Sequence, residues 1–445
     1  MKIRRKKGVV LIAVLWLVML LTVICASVER SSRLNTKTNA AGNDAIKCKW
    51  AARAGIETAV AVLNEDLKAS DSLSDLWSNN EYEFNEIPME DCMFNVKVSD
   101  ESGKLNINYA TKDQLMMLLN MTEDIADSIL DWRDSNDIAN ANGAEAGYYL
   151  NLQYPYIIRN SQFKTIRELL LVKGITEELL FGEDTNFNGL LDYNEKDGTK
   201  NPPNDNGDNN LDKGWIEYLT CYSLDRNTDA DGNARININS ANQTALVNSL
   251  GISQENANWI VQNRPSGGYT SIVDLISTQT SGQTSGQTSG QTGGQTGGQT
   301  GGQGGQATPL DMSTFNTIAD KITVDTNDSY SGKVNVNTAP REVLMSVFSN
   351  TTNPQILADS IISYRDGLAE GMTSIAQVLN VPSMDTNTFR TISRYITVRG
   401  NVFSIRSYAY TTYAGLNRSV LRTEAVIDRS SSPAGVLYLY QDRTN

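Results

Sequence analysis

Between Val9 and Ala26 the chain runs for 18 residues without a charge. At helical rise this stretch extends roughly 27 Å, enough to cross the hydrocarbon core of a bilayer. Five cationic residues (Lys2, Arg4, Arg5, Lys6 and Lys7) precede Gly8. The positive-inside rule holds that end in the cytoplasm and sends everything after Ala26 to the other side. A secretory signal would end in small residues at a cleavage site. Here the sequence continues into Ser27-Val-Glu-Arg30, and no proline occurs before Pro88. Small or apolar residues recur at Ala41, Ala45, Cys48, Ala52, Ala59 and Leu63. This spacing predicts that the apolar helix continues over 27–66 as an amphipathic one, broken at most locally at Gly42 or Gly55.

A chain of 445 residues exceeds one ordinary core, and two or three domains are expected. Its formal net charge is −13, and the body without the basic leader is more acidic still. Such a body repels phosphate backbones, so nucleic acid is not an expected partner. Histidine is absent, which removes His-based acid–base chemistry and most zinc hydrolase sites. No paired-acid catalytic motif stands out, and no enzymatic activity is expected. Of the four cysteines, Cys25 falls in the apolar run and Cys48 on the helix after it. Only Cys92 and Cys221 are placed to pair in the globular part, and no disulfide is assigned from sequence.

The sequence repeats itself. Lys104-Leu-Asn-Ile-Asn-Tyr-Ala110, Arg235-Ile-Asn-Ile-Asn-Ser-Ala241 and Lys333-Val-Asn-Val-Asn-Thr-Ala339 share one opening. A short helix is predicted after each, over 111–119, 242–250 and 340–348, then a second helix carrying Arg133, Arg264 or Arg365. Each copy closes with a related segment at Phe163–Leu170, Tyr269–Ile276 or Met372–Leu379. The unit resembles a helix-hairpin-helix or SAM-like module, as in competence DNA receptors. A DNA-binding hairpin needs glycines for close phosphate approach. Only Leu250-Gly-Ile-Ser253 offers one, and no hairpin adds a basic patch. The units therefore read as packing modules, each arginine bonding carbonyls or a carboxylate within its own unit.

Asp184-Thr-Asn-Phe-Asn-Gly-Leu-Leu-Asp-Tyr-Asn-Glu195 fits a twelve-residue calcium loop. Asp184, Asn186, Asn188, the Leu190 carbonyl, Asp192 and a bidentate Glu195 supply hard oxygens, and Gly189 permits the turn. Two weaker candidates follow, one with Asp205, Asp208 and Asp212, the other with Asp225, Asp229 and Asp231. Neither has a closing glutamate. A structural Ca²⁺ is the expected cofactor.

Residues 280–306 repeat Thr-Ser-Gly-Gln and Thr-Gly-Gly-Gln and cannot bury apolar area. Strand alternation marks Met93–Val98, Val402–Tyr410, Ser419–Ile427 and Val436–Tyr440, with a turn near Gly415.

A basic leader, Gly8, an apolar segment and an amphipathic extension together resemble a type IV pilin or pseudopilin. The resemblance implies cleavage after Gly8 by a prepilin peptidase, with Val9 as the new N-terminus. Pilins usually carry a glutamate at mature position five, where this chain has Ala13. That departure, with the repeats and the calcium loop, resembles the protein K family of type II secretion pseudopilins.

The resemblance implies an α+β fold: a pilin-like long N-terminal helix on an antiparallel sheet, with an inserted helical domain of SAM-like repeats. The expected division is leader 1–8, transmembrane helix 9–26, its continuation 27–66, and sheet 91–100 with 395–445. Within the insert it is first unit 101–181, calcium region 182–234, second unit 235–279, linker 280–306 and third unit 307–394. Two copies are expected in that family, so the third is a departure. The implied role is at the pseudopilus tip, starting assembly in the inner membrane with its body in the periplasm, in support of secretion across the outer membrane. The implied partners are I- and J-like minor pseudopilins and the major pseudopilin. A minor pilin of a type IV pilus and a membrane-anchored DNA-uptake protein are the alternatives.

Overall fold

In the computed structural model, residues 7–66, 69–184, 191, 193–201, 204–205, 207–276, 309–413, 416–431 and 433–444 are described. Helix α1 (Lys7–Glu65) is unbroken and passes through both Gly42 and Gly55. Its 59 residues extend about 90 Å. No part of its apolar window is covered by the rest of the protein, and by length and composition it can cross a membrane. Burial begins at Ala45; Ala41 stays exposed.

Two strands follow, β1 (Ile87–Met89) and β2 (Cys92–Asp100). The helical insert then contributes short strands: β3 (Leu105–Asn106), β4 (Leu219–Thr220), β5 (Leu224–Arg226), β6 (Ile236–Asn237), β7 (Ile322–Thr323), β8 (Ser329–Ser331), β9 (Val334–Asn335) and β10 (Ile396–Thr397). After it come β11 (Val402–Tyr413), β12 (Leu416–Asp428) and β13 (Gly435–Thr444). The main sheet is antiparallel, in the order β1-β2-β11-β12-β13. All four sequence-marked strands are in it, and β1 is an addition. The expected start of its C-terminal part at 395 is corrected: Ile396 and Thr397 pair with β9 inside the insert.

The sheet turns one face to α1. Val98, Ile405 and Ala425 stand in register across β2, β11 and β12, and they bury with Ile56, Ala59 and Leu63. Nearer the membrane segment, Cys48, Ala51 and Ala52 bury with Cys92, Phe94, Ala409 and Leu421. The alanines let helix and sheet approach closely. At Gly55 an added Cβ would lie 2.3 Å from Ser407 Oγ and 2.9 Å from Val96 Cγ2.

These two clusters also fix where the insert sits. It leaves the sheet at Asp100 and returns at Val402, the sheet end that packs on Leu63. Cys48 packs at the opposite end, beside Cys92. The insert therefore crowns the end of the molecule farthest from the apolar segment.

Three units build the insert, each closed by a parallel two-strand clasp. β3 pairs with β4, β6 with β7 and β9 with β10. This corrects the expected boundaries. The calcium region lies inside the first unit, before its closing strand Leu219–Thr220. The low-complexity stretch lies inside the second unit, not between units. Ile322 pairs back to Ile236, and Leu310 N–H donates to the Leu275 carbonyl (2.9 Å) across the excursion. The helix Met312–Ile318 likewise belongs to the second unit, matching Glu177–Phe181 in the first and Thr386–Ile392 in the third.

The repeated residues explain themselves. The second asparagine of each opening clips its own closing segment at both backbone groups. Asn108 accepts from Phe163 N–H (2.7 Å) and donates to its carbonyl (3.0 Å). Asn239 does the same with Tyr269, and Asn337 with Met372. The arginines donate inward, as the sequence indicated: Arg133 to the Ile107 and Ala110 carbonyls, Arg264 to Ala241, and Arg365 to Val336 and Ala339.

Candidate metal centre

The sequence-marked calcium loop is described only at its two ends. Asn186, Asn188, Gly189, Leu190 and Asp192 lie outside the described residues. Asp184 is half-buried, and its charge acts on Lys97 of β2 and Tyr408 of β11, so the loop starts over the sheet. Glu195 ends the turn Tyr193–Glu195 and is only 1% exposed. A carboxylate so deeply buried carries a large desolvation cost. The loop's base is pinned: Glu183 N–H donates to the Asp212 carbonyl, and Asp212 N–H to Glu183 Oε2, both 3.0 Å.

That pinning gathers the first weaker candidate into the same excursion. Asp205 accepts from Gly198 and Gly207 N–H groups, and Asp208 from Asn210 N–H. The second weaker candidate is divided by role. Asp229 closes a tight turn, accepting from Asp231 and Asn233 N–H groups, and Asp231 is exposed. Asp225 is buried and ion-paired, 2.9 Å from Lys333 Nζ and 3.8 Å from Arg235 Nη1. Its charge is already compensated by two units of the insert.

A group not singled out from sequence has stronger geometry. Asp131 lies in the last turn of the helix Glu123–Arg133, Asp134 caps that helix, and Glu145 precedes the short helix Ala146–Tyr149. One carboxylate oxygen from each lies within 4.8 Å of the others. Glu145 is 6% exposed, and among the described residues neither of its oxygens has a hydrogen-bond partner. Burial pushes its carboxyl up to about 7, and repulsion from Asp131, Asp134 and Asp137 adds to the rise. Asp131 is fully buried and also raised by burial, against the N–H groups of Asn140. Gly143 makes the cradle: a Cβ there would stand 1.8 Å from Asp131 Oδ2. Three converging carboxylates, of which Asp131 and Asp134 also accept hydrogen bonds from Asn140 and Asn136, form a hard, oxygen-only donor set. A pattern search misses them because ten residues separate Asp134 from Glu145.

Asp66, Asp71 and Asp75 also converge, but Arg429 bonds both Asp66 and Asp71 and neutralises them.

Two stretches, 92–181 and 334–399, match the family described as "Type II secretion system (T2SS), protein K". The chain is 28% identical over 196 residues to the type II secretion system protein K of Pseudomonas aeruginosa, covering 38% of this chain and 58% of that protein. It is 30% identical over 191 residues to an endonuclease/exonuclease/phosphatase family domain-containing protein 1 of Xenopus laevis, covering 42% of this chain and 26% of that one. The chain thus spans little more than half of the first relative and a quarter of the second. Among solved structures, the GspK-GspI-GspJ complex of the enterotoxigenic Escherichia coli type 2 secretion system aligns with TM-score 0.47. It does so at 13% identity, over 93% of this chain and all of that one.

Proposed function

We infer the function from one premise, that the chain belongs to the type II secretion system protein K family: it is a minor pseudopilin, an assembly protein and not an enzyme. Its finer role is as follows. A prepilin peptidase cuts after Gly8 and frees Val9 as the new N-terminus. The apolar half of α1 holds the protein in the inner membrane, with the body in the periplasm. The protein then joins I- and J-like minor pseudopilins at the tip of the pseudopilus, where the major pseudopilin adds below it, and so supports secretion across the outer membrane.

The observation that carries the tip reading is the placement of the insert. It is attached at the sheet end remote from the apolar segment. A subunit stacked above would meet that bulk, whereas the bare half of α1 stays free to pack beside neighbours below. Ala13 at mature position five agrees, since a first subunit has no terminal amine beneath an upper neighbour to neutralise.

A structural Ca²⁺ belongs to this reading. Asp131, Asp134 and Glu145 would hold it, and the loop from Asp184 to Glu195 would hold a second. The ion offsets carboxylates that burial otherwise penalises and fixes the chain between the paired helices. The inward arginines leave little for a phosphate backbone, which weighs against DNA uptake.

The test is assembly. The soluble body from Ser27 onward, mixed with the soluble bodies of I- and J-like pseudopilins, should elute as one ternary complex by size exclusion with light scattering. Separate elution at tens of micromolar would sink the tip assignment. Mass spectrometry of the membrane-derived protein should show Val9 as its first residue; an intact Met1 would refute the processing step.

A further inference from the structure

We infer that Cys48 and Cys92 form a disulfide that fastens the long helix to the sheet. Cys48 lies in α1 and Cys92 opens β2. The two thiols are hydrogen-bond partners. They are 0% and 2% exposed, enclosed by Ala51, Ala52, Phe94 and Ala409. The residue before each is paired too: Lys47 Nζ bonds the Asp91 carboxylate. Helix and strand are therefore held in register by two consecutive contacts, one ionic at the surface and one between sulfurs beneath it. Neither remaining cysteine competes. Cys25 belongs to the apolar membrane run, and Cys221 packs against the core of the insert. The sequence left open whether Cys92 pairs with Cys221; the fold sets Cys92 beside Cys48 instead.

The inference rests on the proposed export of the body, because a reducing cytosol keeps such thiols apart. The chemistry is thiol–disulfide exchange with a disulfide-carrying oxidoreductase. One cysteine thiolate attacks the oxidant's disulfide, forming a mixed disulfide and releasing one oxidant thiolate. The second cysteine, as its thiolate, attacks the protein sulfur of that mixed disulfide and releases the other oxidant thiolate. Two protein thiols lose two protons and two electrons, and one oxidant disulfide becomes a dithiol.

The bond is made while α1 settles on the sheet. Once docked, neither sulfur meets solvent. Burial then pushes the Cys92 thiol up to about 11, with Cys48 adding to the rise, so little thiolate remains. The link ties positions 48 and 92 directly. A pull on the membrane segment then reaches β2 without passing through the chain between them, where two residues lie outside the described set. It also restricts the unfolded chain, which favours the folded head.

The test uses the full-length protein from membranes, with free thiols trapped by alkylation under denaturing conditions without reductant. Trypsin should release the dipeptide Cys48-Lys49 linked to the peptide 69–97, and dithiothreitol should separate the two. C48S should leave Cys92 fully alkylated. Alkylation of both thiols in the exported wild type, or a link from either one to Cys221, would overturn the inference. Protease accessibility in spheroplasts reports separately whether the body is exported. Should it prove cytoplasmic, refolding the purified protein in a glutathione redox buffer decides instead. The same linked peptide supports the pairing, and free Cys48 and Cys92 refute it.

Discussion

Asn337 shows how much one repeated residue carries. It is 2% exposed and clips both backbone groups of Met372. Asn337→Ala removes both partners at once and leaves a buried N–H and carbonyl unpaired, at about 2–4 kcal/mol. Asn108→Ala breaks the same clip with Phe163, but Asn108 is half-buried and water can replace part of the loss. Urea unfolding should therefore show the larger shift for Asn337; equal shifts would mean that burial does not set the cost. The arginines and asparagines were legible because three copies display one spacing. Glu145 was not, since its role depends on a fold that brings 131, 134 and 145 together. It gives a pH test with a definite sign. Its carboxyl rises in the folded protein from the usual 4.5 to about 7. The metal-free native state then binds more protons than the unfolded chain, so stability falls as pH rises through that window. Ca²⁺ should restore what is lost, and more so at pH 8 than at pH 5.5. At a hundredfold excess over Kd the gain is about 2.7 kcal/mol. Thermal melts with and without Ca²⁺ at the two pH values read this directly, and Glu145→Gln should weaken the gain at pH 8.

At the scale of elements, the closing strands were the harder part to read. Tyr218-Leu-Thr220, Lys321-Ile-Thr323 and Tyr395-Ile-Thr397 occupy one place in the three units, yet each clasp strand is two residues long. Alternation over so short a stretch carries little signal, and the low-complexity run drew the boundary to itself. The bond from Leu310 to Leu275 shows that the chain leaves the second unit and comes back to the same point. Removing 280–306 should thus leave the unit intact. Shortening the closed loop raises stability by on the order of 1 kcal/mol. A melt of the deletion variant at or slightly above that of the parent is expected. A loss of several degrees would show that the segment packs on the insert. The long helix and the main strands were legible because each carries many periods of one pattern.

The whole molecule is joined along a buried polar seam. Asp100, at the end of β2, accepts from Asn335 and Thr338 of the third unit, each at 2.8 Å. Arg399, between the third unit and β11, donates to the Ala69 carbonyl after α1 and to the Thr228 carbonyl at the base of the Asp229 turn. It also pairs with Asp320, which Arg235 holds as well (3.2 Å). One guanidinium thus touches the chain just after α1 and the second unit from the hinge of the third. Such a seam is specific in geometry, because every group has a fixed partner and none can slide without orphaning another. Arg399→Ala leaves the Asp320 carboxylate with Arg235 and the Ala230 N–H, and two half-buried carbonyls short of a donor, at about 2–3 kcal/mol. The loss falls on the junction, not on either core. Peptide-resolved hydrogen exchange should show the slowest amides of β11 and of β9–β10 opening together in the parent. In the variant the third unit should open first while β11 keeps its protection. Coincident opening in both proteins would place the coupling elsewhere. A head that moves as one body passes force applied through α1 to the crown without losing it at the joint, as the proposed tip role requires.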